Sequence, residues 1–182
     1  MLLIPSTSAF KYDTKNGGTA IFNIGGGSYT FASGTYSMSQ FVVGGGATVN
    51  IPTGAKVTIY LSDRLSIGGS ATINNAGRKP DALNFISCYT KKWDTKKLIW
   101  MDVYNTVGWD LAGYSESYLT VYAPTNKVSV GGDSPLFGAV VAADFMSTGS
   151  APVHFDRALM GDGTTVPTVI TPVSRSWSQL LR

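Results

Sequence analysis

The phrase "FVVGGGATVN" at Phe41–Asn50 returns 24 positions later as "LSIGGSATIN" at Leu65–Asn74. Both follow one pattern: apolar, any residue, apolar, Gly, Gly, small, Ala, Thr, apolar, Asn. Turn chemistry could reuse a glycine pair, but not the Ala-Thr-apolar-Asn behind it. Repeats near this spacing mark stacked architectures, in which no unit buries its apolar face alone and each needs its neighbours. "FNIGGGSYTF" (Phe22–Phe31) lies 19 positions before the first phrase. "VSVGGDSPLF" (Val128–Phe137) shares the opening, and "FMSTGSAPVH" (Phe145–His154), 17 positions further on, keeps the second glycine at Gly149. The 63 positions between Leu65 and Val128 are too many for one ordinary coil.

Within each unit, apolar and polar residues alternate as in strands. Phe41-Val42-Val43 leads into Gly44-Gly45, and Thr48-Val49-Asn50-Ile51 runs to the turn Pro52-Thr53-Gly54. Lys56–Leu61 alternates again. Glycine supplies the tight corners. Helical periodicity is nearly absent, and "SRSWSQLLR" at the C-terminus is the only short stretch that could be helical. The expected fold is all-β, a right-handed parallel β-helix (β-solenoid) forming a single domain over 1–182. Its coils run over about 18–75 and 121–159, an aromatic and basic insertion over about 78–120, and a C-terminal cap over about 160–182. The handedness follows the general rule for parallel connections. An antiparallel sandwich also has strands and turns at short intervals, but it does not predict one glycine phrase repeated in phase.

Composition narrows the chemistry. Charged residues make up 14% of the chain, against about a quarter in average proteins. The 21 glycines suit a strand-and-turn protein. A net charge of +3 does not by itself imply nucleic acid. With one cysteine, Cys88, there is no intramolecular disulfide and no cysteine-based zinc site. With one histidine, His154, there is no histidine-rich metal site. No metal and no cofactor is expected, and Cys88 reads as a buried small apolar residue. "MLLIPSTS" is apolar for too few residues to form a signal-peptide core or a membrane span, and no stretch elsewhere is long and apolar enough, so the chain reads as soluble.

Candidate sites lie where the repeat breaks. "TKKWDTKK" (Thr90–Lys97) sets Lys91, Lys92, Lys96 and Lys97 around Trp93, between the strand-like "LNFISCY" and "LIWMDVY". A hairpin there could meet an anionic polymer, its lysines on phosphate or carboxylate groups and its indole on a base or sugar. The bland alternative is a solvated hairpin tip. Trp100, Tyr104, Trp109, Tyr114, Tyr118 and Tyr122 read as a small core of the insertion, with a carbohydrate-stacking surface as the alternative. His154 and Asp156 lie two apart and share a strand face; they suit a corner hydrogen bond better than a catalytic pair, because no third partner stands near them in the sequence. The glycine pairs are not phosphate cradles, since no Gly-Lys-Ser/Thr follows them. A small β-helix enzyme would need acids converging in a groove. The acids are scattered along the chain, although Asp102 and Asp110 could meet in the fold.

"VYAPTNKVSVGGDSPLFGAVVAADFMSTGSAPVHFDRAL" (Val121–Leu159) carries Ala123-Pro124, Gly132, Phe137-Gly138-Ala139-Val140-Val141, Gly149 and His154-Phe155-Asp156-Arg157-Ala158-Leu159. This pattern resembles the C-terminal β-helical domain of PilX-like bacterial pilus-assembly proteins, whose N-terminus is prepilin-like. "VTIYLSDRLSIGGSATINN" (Val57–Asn75) is similar to that family's earlier coil, and "SRSWSQL" to its terminal Trp-bearing strand. The basic insertion falls outside the resemblance, and the chain lacks the prepilin segment. The resemblance implies an extracellular or cell-surface module of a type IV pilus-like system, minor pilin-like, with an adhesin or assembly role. Its partners would be pilus or other surface proteins, with no catalysis and no membrane span in this chain. The alternative is a binding domain for DNA or acidic polysaccharide acting through Lys91, Lys92, Trp93, Lys96 and Lys97.

Overall fold

A computed structural model describes residues 9–13, 19–88, 90–94, 99–103, 106–113, 115–133 and 135–160. Strand β1 (Phe10–Asp13) pairs antiparallel with β2 (Thr19–Ile24) and closes the N-terminal end. From β2 onward the chain winds as a β-solenoid of about six turns. The first coil consists of β2, β3 (Ser28–Thr30) and β4 (Gly34–Met38), and the second of β5 (Gln40–Val43), β6 (Thr48–Ile51) and β7 (Val57–Leu61). The third comprises β8 (Leu65–Ile67), β9 (Thr72–Asn75) and β10 (Leu83–Ser87). β11 (Thr90–Asp94) and β12 (Ile99–Val103) then form an antiparallel hairpin. β13 (Trp109–Leu111) opens the fourth coil, and the long strands β14 (Ser117–Val130) and β15 (Leu136–Ser147) each bend from one face to the next before the final β16 (Val153–Phe155). Short 3₁₀ turns at Pro80–Ala82 and Arg157–Met160 are the helical elements described. No helix among the described residues is long and apolar enough to cross a membrane.

The repeated phrase is one rung of this stack. Phe22 lies beside Phe41 and Phe41 beside Leu65; Trp109 lies beside Val128 and Val128 beside Phe145. One full column runs Ile24, Val43, Ile67, Leu111, Val130, Ser147 through all six coils. On another face Tyr36, Ile59, Phe85, Val121 and Val140 stack inside the same core. Each apolar side chain covered on both sides therefore loses its water to its neighbours in the stack, for about 1.5–3 kcal/mol apiece.

The glycine pair makes the corner after that rung. Gly44, Gly68, Ala112, Gly131 and Thr148 each donate their amide to the carbonyl of the preceding coil's column residue, at 2.7–2.9 Å. At four of these five corners the next position turns left-handed: Gly45, Gly69, Gly132 and Gly149 have φ of 54°, 62°, 81° and 73°. A Cβ on Gly45 would strike the Gly25 carbonyl. Glycine is thus required twice over, by its φ and by the close approach of stacked backbones.

The structure narrows the insertion. β10 and β13 lie inside 78–120, yet both are coil strands paired on two sides. The long gap between phrases hides a coil whose glycine pair has become Ala112-Gly113 and whose apolar rung is Trp109-Asp110-Leu111. Trp109 belongs to the solenoid core rather than to a separate core in the insertion: it is fully buried and its Nε1 donates to the Asp63 carbonyl at 2.9 Å. The expected cap, apart from Met160, lies outside the described residues.

Candidate functional site

The hairpin departs from the solenoid between β10 and β13, and its root is tied down. Cys88 donates its amide to Leu61 O at 2.9 Å. The buried Asn126 accepts from Ser87 Oγ at 2.6 Å and donates Nδ2 to Val107 O at 2.8 Å, clamping the outgoing chain to the returning one. Among the described strands, β11 and β12 pair only with each other. Their register sets Lys91 opposite Asp102 and Trp93 opposite Trp100, with Lys92 opposite Met101. Alternation along a strand puts Lys92 at a register position on the other face from Lys91 and Trp93. Lys96 and Lys97 lie outside the described residues, as do Tyr104 and Tyr114. Cys88 is half-buried rather than buried, because it sits where the chain leaves the stack, and burial pushes its thiol up against an opposing backbone hydrogen bond.

His154 lies on β16 and Asp156 one residue beyond its end. His154 stacks on Phe137 with ring centroids 4.8 Å apart, and Phe137 stacks on Tyr118 at the same 4.8 Å. β16 ends at Phe155, and Asp156 beyond it donates its amide to Gly138 O at 3.3 Å. The acids are spread over the surface. Asp63 accepts from Gln40 Nε2 at 2.7 Å, Asp81 pairs with Lys56 at 3.2 Å, and Asp144 with Lys127 at 3.4 Å. Asp102 lies on the hairpin and Asp110 on a coil strand, in different sheets. No three His, Cys, Asp or Glu side chains among the described residues come together as a metal site.

A second site, not singled out from the sequence, lies at the corner after β9. The turn closes where Arg78 donates its amide to Asn75 O at 2.9 Å, and Arg78 has φ of 48°. It is the one residue other than glycine with positive φ among those described; a side chain there costs about 1–2 kcal/mol. The Arg78 guanidinium lies over the Tyr118 ring, 5.9 Å from its centroid. Tyr118 donates its hydroxyl to Glu116 Oε2 at 3.1 Å. Its phenol is pushed up, first by desolvation and then by Glu116, with Arg78 opposing. Asn75, only 4% exposed, donates Nδ2 to Lys79 O at 2.7 Å and to Tyr118 O at 2.9 Å, which ties the third coil to the fourth. Its Oδ1 is buried with no hydrogen-bond partner.

Arg78 stands between two cavities. One, of about 350 Å³, is lined by Thr48, Thr72, Asn74, Ser115, Glu116 and Tyr118 together with Asn75 and Arg78. The other, of about 480 Å³, is lined by Arg78, Lys79, Asp81, Asp156 and Leu159 among others. The sequence signal for this corner is slight: Arg78 is one basic residue at the start of the insertion, and Glu116 and Tyr118 stand about forty positions away.

A family model described as a domain of unknown function (DUF7305) matches residues 11–161. No curated protein and no solved structure matches the chain.

Proposed function

Proceeding from a chain that belongs to the DUF7305 family, we propose a non-enzymatic cell-surface module of a type IV pilus-like system, acting in adhesion or pilus assembly through contact with another protein. The observation that carries this reading is an exposed apolar stripe on one flat face of the coils. Tyr60, Ile86, Tyr122 and Val141 stand in register on four successive strands. Tyr122 is 53% exposed and Val141 47%. Large apolar side chains kept in line on a surface mark a contact area, and a rigid face spaced by strand hydrogen bonds presents them without an ordering cost. The test uses the cells that make the protein. Sheared surface filaments should carry the wild-type chain, and a Tyr122→Ser/Val141→Ser variant should be lost from them while its melting temperature holds. A wild-type chain confined to the cytoplasm, or a variant still retained on the filaments, overturns the proposal.

The second reading is an anionic-polymer-binding domain acting through Lys91, Lys92, Trp93, Lys96 and Lys97. What favours it is the hairpin's separation from the solenoid sheets. The β11–β12 register sets one of these lysines, Lys91, opposite Asp102. It requires salt-sensitive binding to DNA or acidic polysaccharide that the four Lys→Ala changes abolish.

A further inference from the structure

The geometry points to the Arg78 corner as a binding site for a neutral oligosaccharide, distinct from both the apolar stripe and the hairpin. Four features converge there. The first is space: the cavity of about 350 Å³ falls within the size range of small-molecule sites, and the adjoining one of about 480 Å³ shares Arg78 as its wall. Two compartments side by side suit a ligand built of repeated units better than a single compact molecule.

The second is chemistry. The smaller cavity mixes donors and acceptors: the Arg78 guanidinium, the Glu116 carboxylate, the hydroxyls of Thr48, Thr72 and Ser115, and the Asn74 amide. Its formal charges balance, Arg78 against Glu116. In the larger cavity, which shares Arg78, Lys79 stands against Asp156, while Asp81 is already paired with Lys56. A sugar hydroxyl both donates and accepts, so one neutral polyhydroxyl ligand can satisfy all of these groups. A polyanion would meet Glu116 and Asp156 in repulsion.

The third is an aromatic member. Tyr118 is held in a column between Arg78 and Phe137, so its edge and hydroxyl are fixed before a ligand arrives. The fourth is stored cost. Arg78 keeps a left-handed backbone that glycine would adopt freely, and such outliers gather at ligand sites. Asn75, in the same cavity wall, buries an unpartnered amide oxygen. An unpaired acceptor of this kind costs about 1–3 kcal/mol; it is sealed from solvent, so a ligand hydroxyl reaches it only by displacing part of the cavity wall.

The experiment titrates ¹⁵N-labelled full chain with cellotriose, maltotriose and tri-N-acetylchitotriose, with tri-galacturonate as the charged control. At least one neutral trisaccharide should shift the Asn75 side-chain amide and the backbone amides of Arg78, Ser115 and Glu116, equally at low and high salt. Arg78→Gly should weaken that binding about tenfold or more, as loss of a charge-assisted hydrogen bond does. The same variant should hold or raise the melting temperature, because glycine relaxes the left-handed turn. The four-lysine hairpin variant should bind as the wild type does. The inference is overturned if none of the three neutral sugars shifts these signals, if Arg78→Gly binds unchanged, or if binding is salt-sensitive and lost in the hairpin variant. The apolar-stripe variant Tyr122→Ser/Val141→Ser should also bind the sugar normally, so the two proposals fail separately.

Discussion

The two ends of the solenoid are finished differently. At the N-terminal end β1 runs antiparallel across β2, and the core closes on a packed ring cluster. Phe10, Phe22 and Phe31 lie with centroids 5.2–6.3 Å apart, Tyr29 packs edge-on, and Phe22 stacks on Phe41 at 4.8 Å. At the C-terminal end of the described residues the same core-facing register positions are exposed. Phe145 is 45% exposed, Val153 37% and Phe155 57%, although their neighbours one coil earlier, Val128 and Leu136, are buried. An inward-pointing residue is buried only when something packs on each side of it: β1 and the ring cluster do this for the first coil, and no described element does it for the last.

The comparison breaks most readily on Phe22 and Phe155. Phe22→Ala should cost about 3–5 kcal/mol in urea unfolding, as expected for a fully buried ring. Phe155→Ala should cost about 0.5 kcal/mol or less, as a surface change does. Equal losses would mean that the far end is covered in solution. Glycine sharpens the contrast. Gly45→Ala both forces a left-handed alanine and drives a Cβ into the Gly25 carbonyl; it should cost roughly 3 kcal/mol, at the upper end of overpacking. Gly149→Ala, in the last coil, meets Gly132 O at 2.7 Å. It should cost nearer 1 kcal/mol, because an end coil can yield.

An effect of about the Gly149 size is read by pH. Tyr36, buried near the N-terminal end, donates its hydroxyl to Ala32 O at 2.8 Å, and burial pushes its phenol up. A raised phenol favours the folded state while neutral. That stability is complete below the ordinary tyrosine value and is lost as pH climbs through the folded one. Tyr36→Phe should cost about 1 kcal/mol at neutral pH and flatten the alkaline fall in stability, whereas Phe155→Ala should leave its slope unchanged.

The fold was legible because stacking writes itself into the sequence. Phe22, Phe41, Leu65, Val128 and Phe145 could be picked out as equivalent, and all occupy the same face of the coil. The coil at Trp109 escaped because one corner glycine is replaced by Ala112 and the hairpin stretches the spacing to its neighbour. Only the bare pattern of apolar, any, apolar, any, Gly remained to mark it. The Arg78 corner was illegible for a different reason. Its members come from three coils and a turn, and no local pattern reports that a turn will be left-handed at an arginine. The hairpin was visible as a basic excursion, but its register was not. The pairing of Lys91 with Asp102 depends on where the turn falls, which composition does not reveal.

The anchored root of the hairpin has a consequence for variation in this molecule. β10 and β13 are each hydrogen-bonded to strands on both sides, and Ser87, Asn126 and Val107 hold the two ends of residues 88–108 together. The register of the stack is set without reference to what lies between those ends. That stretch can lengthen, shorten or be exchanged outright while the scaffold beneath it keeps its dimensions, which makes it a practical place for grafting a foreign epitope.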